Sequence, residues 1–147
     1  MSKKIAIFES DPELRQRLRG ELEARGFAVD DAADGKAAVD LVRREKPDLV
    51  VLSAELAGSG YAVCNKLKKD EELRRIPVVM IGSDAAAFEA HWRLRTHAEE
   101  DLGKPFELAA IVERIGGLIG LPDPRALREK EERLREELGM AGPRGRG

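Results

Sequence analysis

Four short apolar runs, and a fifth strand-like stretch around Leu102, alternate along this chain with stretches whose apolar residues recur at helical spacing, and no other feature narrows the fold as much. Ile5-Ala6-Ile7-Phe8 is continuously apolar, as a strand covered on both faces must be. Asp11-Pro12 then supplies an N-cap and a first-turn proline, and Leu14, Leu18 and Leu22 mark one buried stripe of a helix that Arg25-Gly26 ends. Phe27-Ala28-Val29 starts a second strand. Asp34-Gly35 opens a second helix with Ala38, Leu41 and Val42 on one face, stopped at Lys46-Pro47. Leu49-Val50-Val51-Leu52 is the most strand-like run of all. After the small-residue loop Ala57-Gly58-Ser59-Gly60 come a helix with Val63, Cys64 and Leu67, the strand Pro77 to Ile81, and a looser helix from Phe88 to Thr96. A short strand around Leu102 precedes Lys104-Pro105-Phe106, and a helix with Leu108, Ile111, Val112 and Ile115 inward fades through Gly116-Gly117 to Gly120. Parallel neighbours require right-handed helical crossovers. Five βα units therefore predict an α/β fold, a doubly wound five-stranded parallel sheet in flavodoxin-like order 2-1-3-4-5. In that order the loops at the strand C-termini converge on one site.

The 147 residues suit one such domain over 1–121. Pro122-Asp123-Pro124 then punctuates, and a charged helix fills the rest of 122–138, while glycine-rich 139–147 is expected to be disordered. Leu127, Leu134 and Leu138 on that extra C-terminal helix fit the start of a coiled-coil seam and a homodimer, although a solvated terminal helix is the plainer reading. A formal net charge of −2 implies no bulk attraction to nucleic acid or an anionic membrane. The single cysteine, Cys64, allows no intrachain disulfide and suits a reducing compartment, and no apolar run is long enough for a signal or a span. A cytoplasmic protein is the expectation.

Five pieces, in order from about residue 3 to 120, carry a family resemblance. Ile5 to Phe8 followed by Glu9-Ser10-Asp11-Pro12 looks like the first strand and acidic turn of a response-regulator receiver domain. Pro47-Asp48-Leu49-Val50-Val51-Leu52-Ser53 looks like its third strand. Gly60-Tyr61 with Cys64, Leu67 and Lys68 resembles its third helix, and Ile76-Pro77-Val78-Val79-Met80-Ile81 its fourth strand. His97 to Phe106 matches the fifth strand and its Lys-Pro turn, where receivers usually have a cis bond at the position of Lys104-Pro105. Met1 to Ile5, Gly26-Phe27, Lys66 to Asp70 and His97-Ala98 further resemble the receiver-like domain of the myxobacterial Frz-type social-motility regulators. In those proteins such a domain precedes a long coiled coil and acts in protein localisation and motility.

The resemblance implies transfer of a phosphoryl group from a histidine kinase to an aspartate, with Mg²⁺ among carboxylates offsetting the charge. It also implies a lysine beside the phosphoryl group and a hydroxyl on the fourth strand that senses it. This sequence departs from that set. Ser53 stands at the acceptor position, and its hydroxyl is a weak nucleophile without a positioned base. The acidic pair becomes Glu9 and Ser10, Gly82 takes the switch position with Ser83 following, and Asp101 replaces the usual aromatic. The loop after Ser53 is one residue short, and only Lys104 is kept. The pattern is that of a pseudo-receiver: not an enzyme, without a catalytic residue, with no Mg²⁺ or other cofactor expected, and acting as a protein-interaction module in two-component-type signalling.

The surface implied for a protein partner is that of the fourth helix, fifth strand and fifth helix, with Trp92, Arg95, Asp101 and Phe106 as candidates. Trp92 reads equally well as core. His91 and His97 lack partners at metal-ligand spacing, and Cys64 reads as a small buried hydrophobe. Two alternatives stay open: phosphorylation on another carboxylate, Glu9, Asp11 or Glu55, and an anion sensor using the vacated pocket near Lys104. A plain salt bridge from Lys104 to Glu9 is favoured over anion binding.

Overall fold

The computed structural model describes residues 3–56, 60–83, 97–122 and 124–139. The loop at 57–59, the helix expected over 88–96 with His91, Trp92 and Arg95, and the tail after Gly139 lie outside the described residues. The elements run β1 (Lys4–Phe8), α1 (Pro12–Ala24), β2 (Ala28–Ala32), α2 (Ala38–Glu45), β3 (Leu49–Ser53), α3 (Gly60–Lys69), β4 (Val78–Gly82), β5 (Glu100–Gly103), α4 (Leu108–Ile119) and α5 (Pro124–Glu137). The strands form one five-stranded sheet in the order β2-β1-β3-β4-β5, every neighbouring pair parallel.

The continuous apolar runs follow from this arrangement, because alternate side chains of a strand point to opposite faces and both faces are covered. Ile5 and Ile7 of β1, Leu49 and Val51 of β3, and Val79 and Ile81 of β4 face α1 and α4, where Leu18, Leu22, Ile111, Val112 and Ile115 close the core. Ala6, Phe8, Val50, Leu52, Val78 and Met80 face α2 and α3, packing on Val42, Val63, Cys64 and Leu67. Burial lifts the Cys64 thiol pKa to about 11, so it is a neutral core residue at ordinary pH.

Helix α1 starts as its sequence predicts. The Asp11 carboxylate accepts the Glu13 N–H at 3.0 Å, with Pro12 in the first turn. Asp11→Ala should therefore lower stability by about 1 kcal/mol in urea unfolding, the usual worth of an N-cap. The helix ends where Gly26 takes φ +98°, a conformation glycine adopts without strain. Helix α2 begins later than Asp34-Gly35 suggests: Asp34 accepts the Lys36 N–H at 3.0 Å and closes a turn, so the helix starts only at Ala38. Helix α4 runs through Gly116-Gly117 to Ile119 and is capped by Gly120, the end its sequence predicts, its buried Ile111, Val112 and Ile115 outweighing the poor helix propensity of glycine. Leu134 on α5 and Leu138 just after its end are 52% and 64% exposed. Among the described residues no helix is long and apolar enough to cross a membrane.

Candidate functional site

The C-terminal ends of β1, β3, β4 and β5 bring Glu9, Ser53, Gly82 with Ser83, and Lys104 to one end of the sheet. The register explains the convergence: Phe8 lies beside Leu52, Ser53 beside Ile81, and Gly82 beside Gly103. Each strand thus ends within a residue of its neighbour, and the next residues of four loops meet.

Glu9 is the buried acid of the site, only 2% exposed. Its Oε2 accepts the Asp11 N–H at 3.0 Å. Its Oε1 lies 2.7 Å from the Lys104 ammonium in an ion pair, without a well-aligned hydrogen bond. Arg15 backs the same turn from α1, donating to the Glu9 carbonyl at 2.8 Å. Lys104 follows β5 directly and its peptide bond to Pro105 is cis. Its ammonium also donates to the Ser53 hydroxyl oxygen at 3.3 Å and stands 3.4 Å from Glu55 Oε1.

Ser53 is fully buried, and its hydroxyl oxygen accepts from both Lys104 and the Glu55 N–H, the latter at 3.2 Å. Gly60 begins α3 directly over the Ser53 carbonyl oxygen, leaving no room for a β-carbon. Ser10 turns its hydroxyl to the Ala33 carbonyl at 2.9 Å, fastening the β1 exit to the β2 exit. Gly82 ends β4 without a side chain, and the next residue, Ser83, donates its backbone N–H to Glu55 Oε1 at 3.0 Å.

Glu55 was legible in the sequence only as an alternative acceptor; its position bridging two loops was not. The nearest signal was the shortened loop after Ser53. Burial opposes ionisation of Glu55, but the bonds from Ser83 and the charge of Lys104 prevail and hold its carboxyl below the usual value. The link therefore contributes fully above the ordinary carboxylate range and is lost as pH falls through that lowered value.

The remaining candidates sit apart from this cluster. Asp101 lies in β5 beside Met80, and its carbonyl faces the Arg114 guanidinium, which also pairs with Glu100 at 2.6 Å. Phe106 is half-buried and packs on the α1 and α4 side of the core. With Leu14, Arg17 and Pro105 it lines a groove of about 460 Å³ that reaches Lys104. A second tie missed by sequence reasoning is Lys68, whose ammonium reaches the Ile76 carbonyl and Glu99, each at 2.9 Å, while Glu99 accepts the Val78 N–H at 2.7 Å. It holds the entries of β4 and β5 together at the opposite end of the sheet.

Comparison with known proteins agrees with this architecture. The chain is 32% identical over 128 residues to the phosphate regulon transcriptional regulatory protein PhoB of Rhizobium meliloti, covering 86% of this chain and 56% of that protein. It thus spans about half the length of such phosphate-regulon relatives. To the polar-differentiation response regulator DivK of Brucella ovis it is 34% identical over 122 residues, covering 82% of this chain and 98% of that one. The solved receiver domain of a signal transduction histidine kinase from Syntrophus aciditrophicus superposes with a TM-score of 0.75 at 25% identity, over 80% of this chain and 90% of that one. The response regulator receiver domain model matches residues 5–116, and the chain belongs to that family.

Proposed function

We propose that this receiver domain works without phosphorylation, as a pseudo-receiver that recognises a protein partner in two-component-type signalling. One observation carries the reading: the Lys104 ammonium is engaged by the buried Glu9 carboxylate at 2.7 Å and by the Ser53 hydroxyl at 3.3 Å. At the end of β3, where a receiver presents its acceptor carboxylate, this chain presents a buried neutral hydroxyl. Among the described residues no histidine or carboxylate side chain hydrogen-bonds it as a base. The other acids of the pocket are committed as well. Glu9 is ion-paired, Asp11 caps α1, and Glu55 bonds Ser83.

The donor set suits a hard divalent cation poorly. Mg²⁺ favours carboxylates with retained waters in a near-octahedral shell. Here Ser10 and Ser53 are neutral hydroxyls, the first turned to a carbonyl of the next loop, and Glu9 already has a cation on one oxygen and an N–H on the other. A metal would have to displace Lys104. Titration with Mg²⁺, followed by backbone amide shifts of Glu9, Ser53 and Ser83, should show no saturable binding in the millimolar range. Saturation there, with those three amides moving together, would overturn the metal-independent part of the reading.

With the centre closed to chemistry, signalling falls to the surface. The expected face is that of β5 and α4, where the Arg114-Glu100 pair lies, together with the segment 88–96 that the sequence reads as a helix. Partner affinity should be the same before and after treatment with acetyl phosphate and Mg²⁺. A phosphodonor-dependent change would sink the proposal.

A further inference from the structure

The exits of β3, β4 and β5 are joined by a single carboxylate oxygen. Glu55 Oε1 accepts the Ser83 N–H at 3.0 Å and faces the Lys104 ammonium at 3.4 Å. A backbone N–H and an ammonium aimed at one point form a cradle for an oxyanion, since both present positive charge and neither needs to move to receive it. We infer that this site is an anion cradle whose ligand is built into the chain: the Glu55 carboxylate fills it and joins the three strand exits with no modification. The inference deepens the phosphorylation-independent reading and rests on it for its meaning in signalling, while the geometry stands by itself.

Two features hold the ligand in place. The Glu55 N–H donates to the Ser53 hydroxyl at 3.2 Å and the Leu56 N–H to the Ser53 carbonyl at 3.2 Å, so the loop turns tightly as it leaves β3. Gly60 then packs over that carbonyl, which keeps the return to α3 close. A group tethered by two residues acts at an effective concentration in the millimolar range or above, so a free anion must exceed that level to displace it. Charge works the same way. Lys104 already balances Glu9 at 2.7 Å, and a further anion would join two carboxylates around one ammonium.

The test uses the full chain with ¹⁵N labelling at neutral pH, without phosphodonor, and acetate as the probe carboxylate at constant ionic strength. The Ser83 amide of the native chain should not respond to acetate. In Glu55→Ala that amide should move away from its native position, and added acetate should bring it back along a saturating curve in the millimolar range. Glu55→Gln keeps an acceptor for Ser83 but no charge for Lys104, and should show a smaller displacement with weaker acetate rescue. Glu55 has a half-exposed side chain, so both variants should fold. A Ser83 amide unmoved in Glu55→Ala, or moved but indifferent to acetate, would overturn the cradle. Neither result would bear on whether the chain accepts a phosphoryl group, which a phosphodonor experiment reads separately.

Discussion

Lys104→Ala should lower the unfolding free energy by about 3–5 kcal/mol, because it leaves a buried carboxylate without its cation. Glu9 is 2% exposed, and its Oε1 has the Lys104 ammonium as its charge partner at 2.7 Å. The Asp11 N–H still serves Oε2 after the change, but Oε1 would be left bare. Urea unfolding measures the loss directly, through the midpoint at unchanged slope. The double variant Glu9→Leu/Lys104→Met should recover most of it, since replacing both partners of a buried pair with apolar groups of similar shape is often close to neutral. A loss under about 1 kcal/mol in the single variant would mean that the pair behaves like a surface ion pair.

Ser53→Asp tests the same pocket from the other side. The hydroxyl is fully buried and lies 3.3 Å from Lys104, which already serves Glu9 and Glu55. A third carboxylate there adds repulsion that one ammonium cannot offset, and stability should fall by about 1–3 kcal/mol if the new charge stays ionised. The variant should also fail to become phosphorylated by acetyl phosphate with Mg²⁺. Ser10 still leaves the metal site a carboxylate short, and Gly82 has no hydroxyl to receive the phosphoryl group. Ser53→Asp with Ser10→Asp and Gly82→Thr is the proper comparison. Adduct formation only in the triple variant would mark a pocket dismantled as a unit, whereas a robust adduct in the single variant would place it one substitution from activity.

The three central strands were readable because burial on both faces makes the sequence itself continuously apolar, as in Leu49 to Leu52 and Val78 to Ile81. Helix limits were less readable where a local turn competes with the helix. Asp34-Gly35 reads as the opening of α2, but Asp34 bonds into a separate turn and the helix starts only at Ala38. Convergence of Glu9, Ser53, Gly82 and Lys104 followed from strand register, which the order of the runs implies. The Glu55 link did not. It depends on how the short β3 exit turns and on where the β4 and β5 exits stop, and that relation between three loops leaves no trace in spacing.

Phosphorylation of the unaltered chain tests the central claim most directly. After incubation with acetyl phosphate and Mg²⁺, intact-mass measurement under conditions that preserve acyl phosphates should give the mass of the untreated chain alone. A stoichiometric phosphoryl adduct mapping to Ser53, Glu9, Asp11 or Glu55 would contradict it.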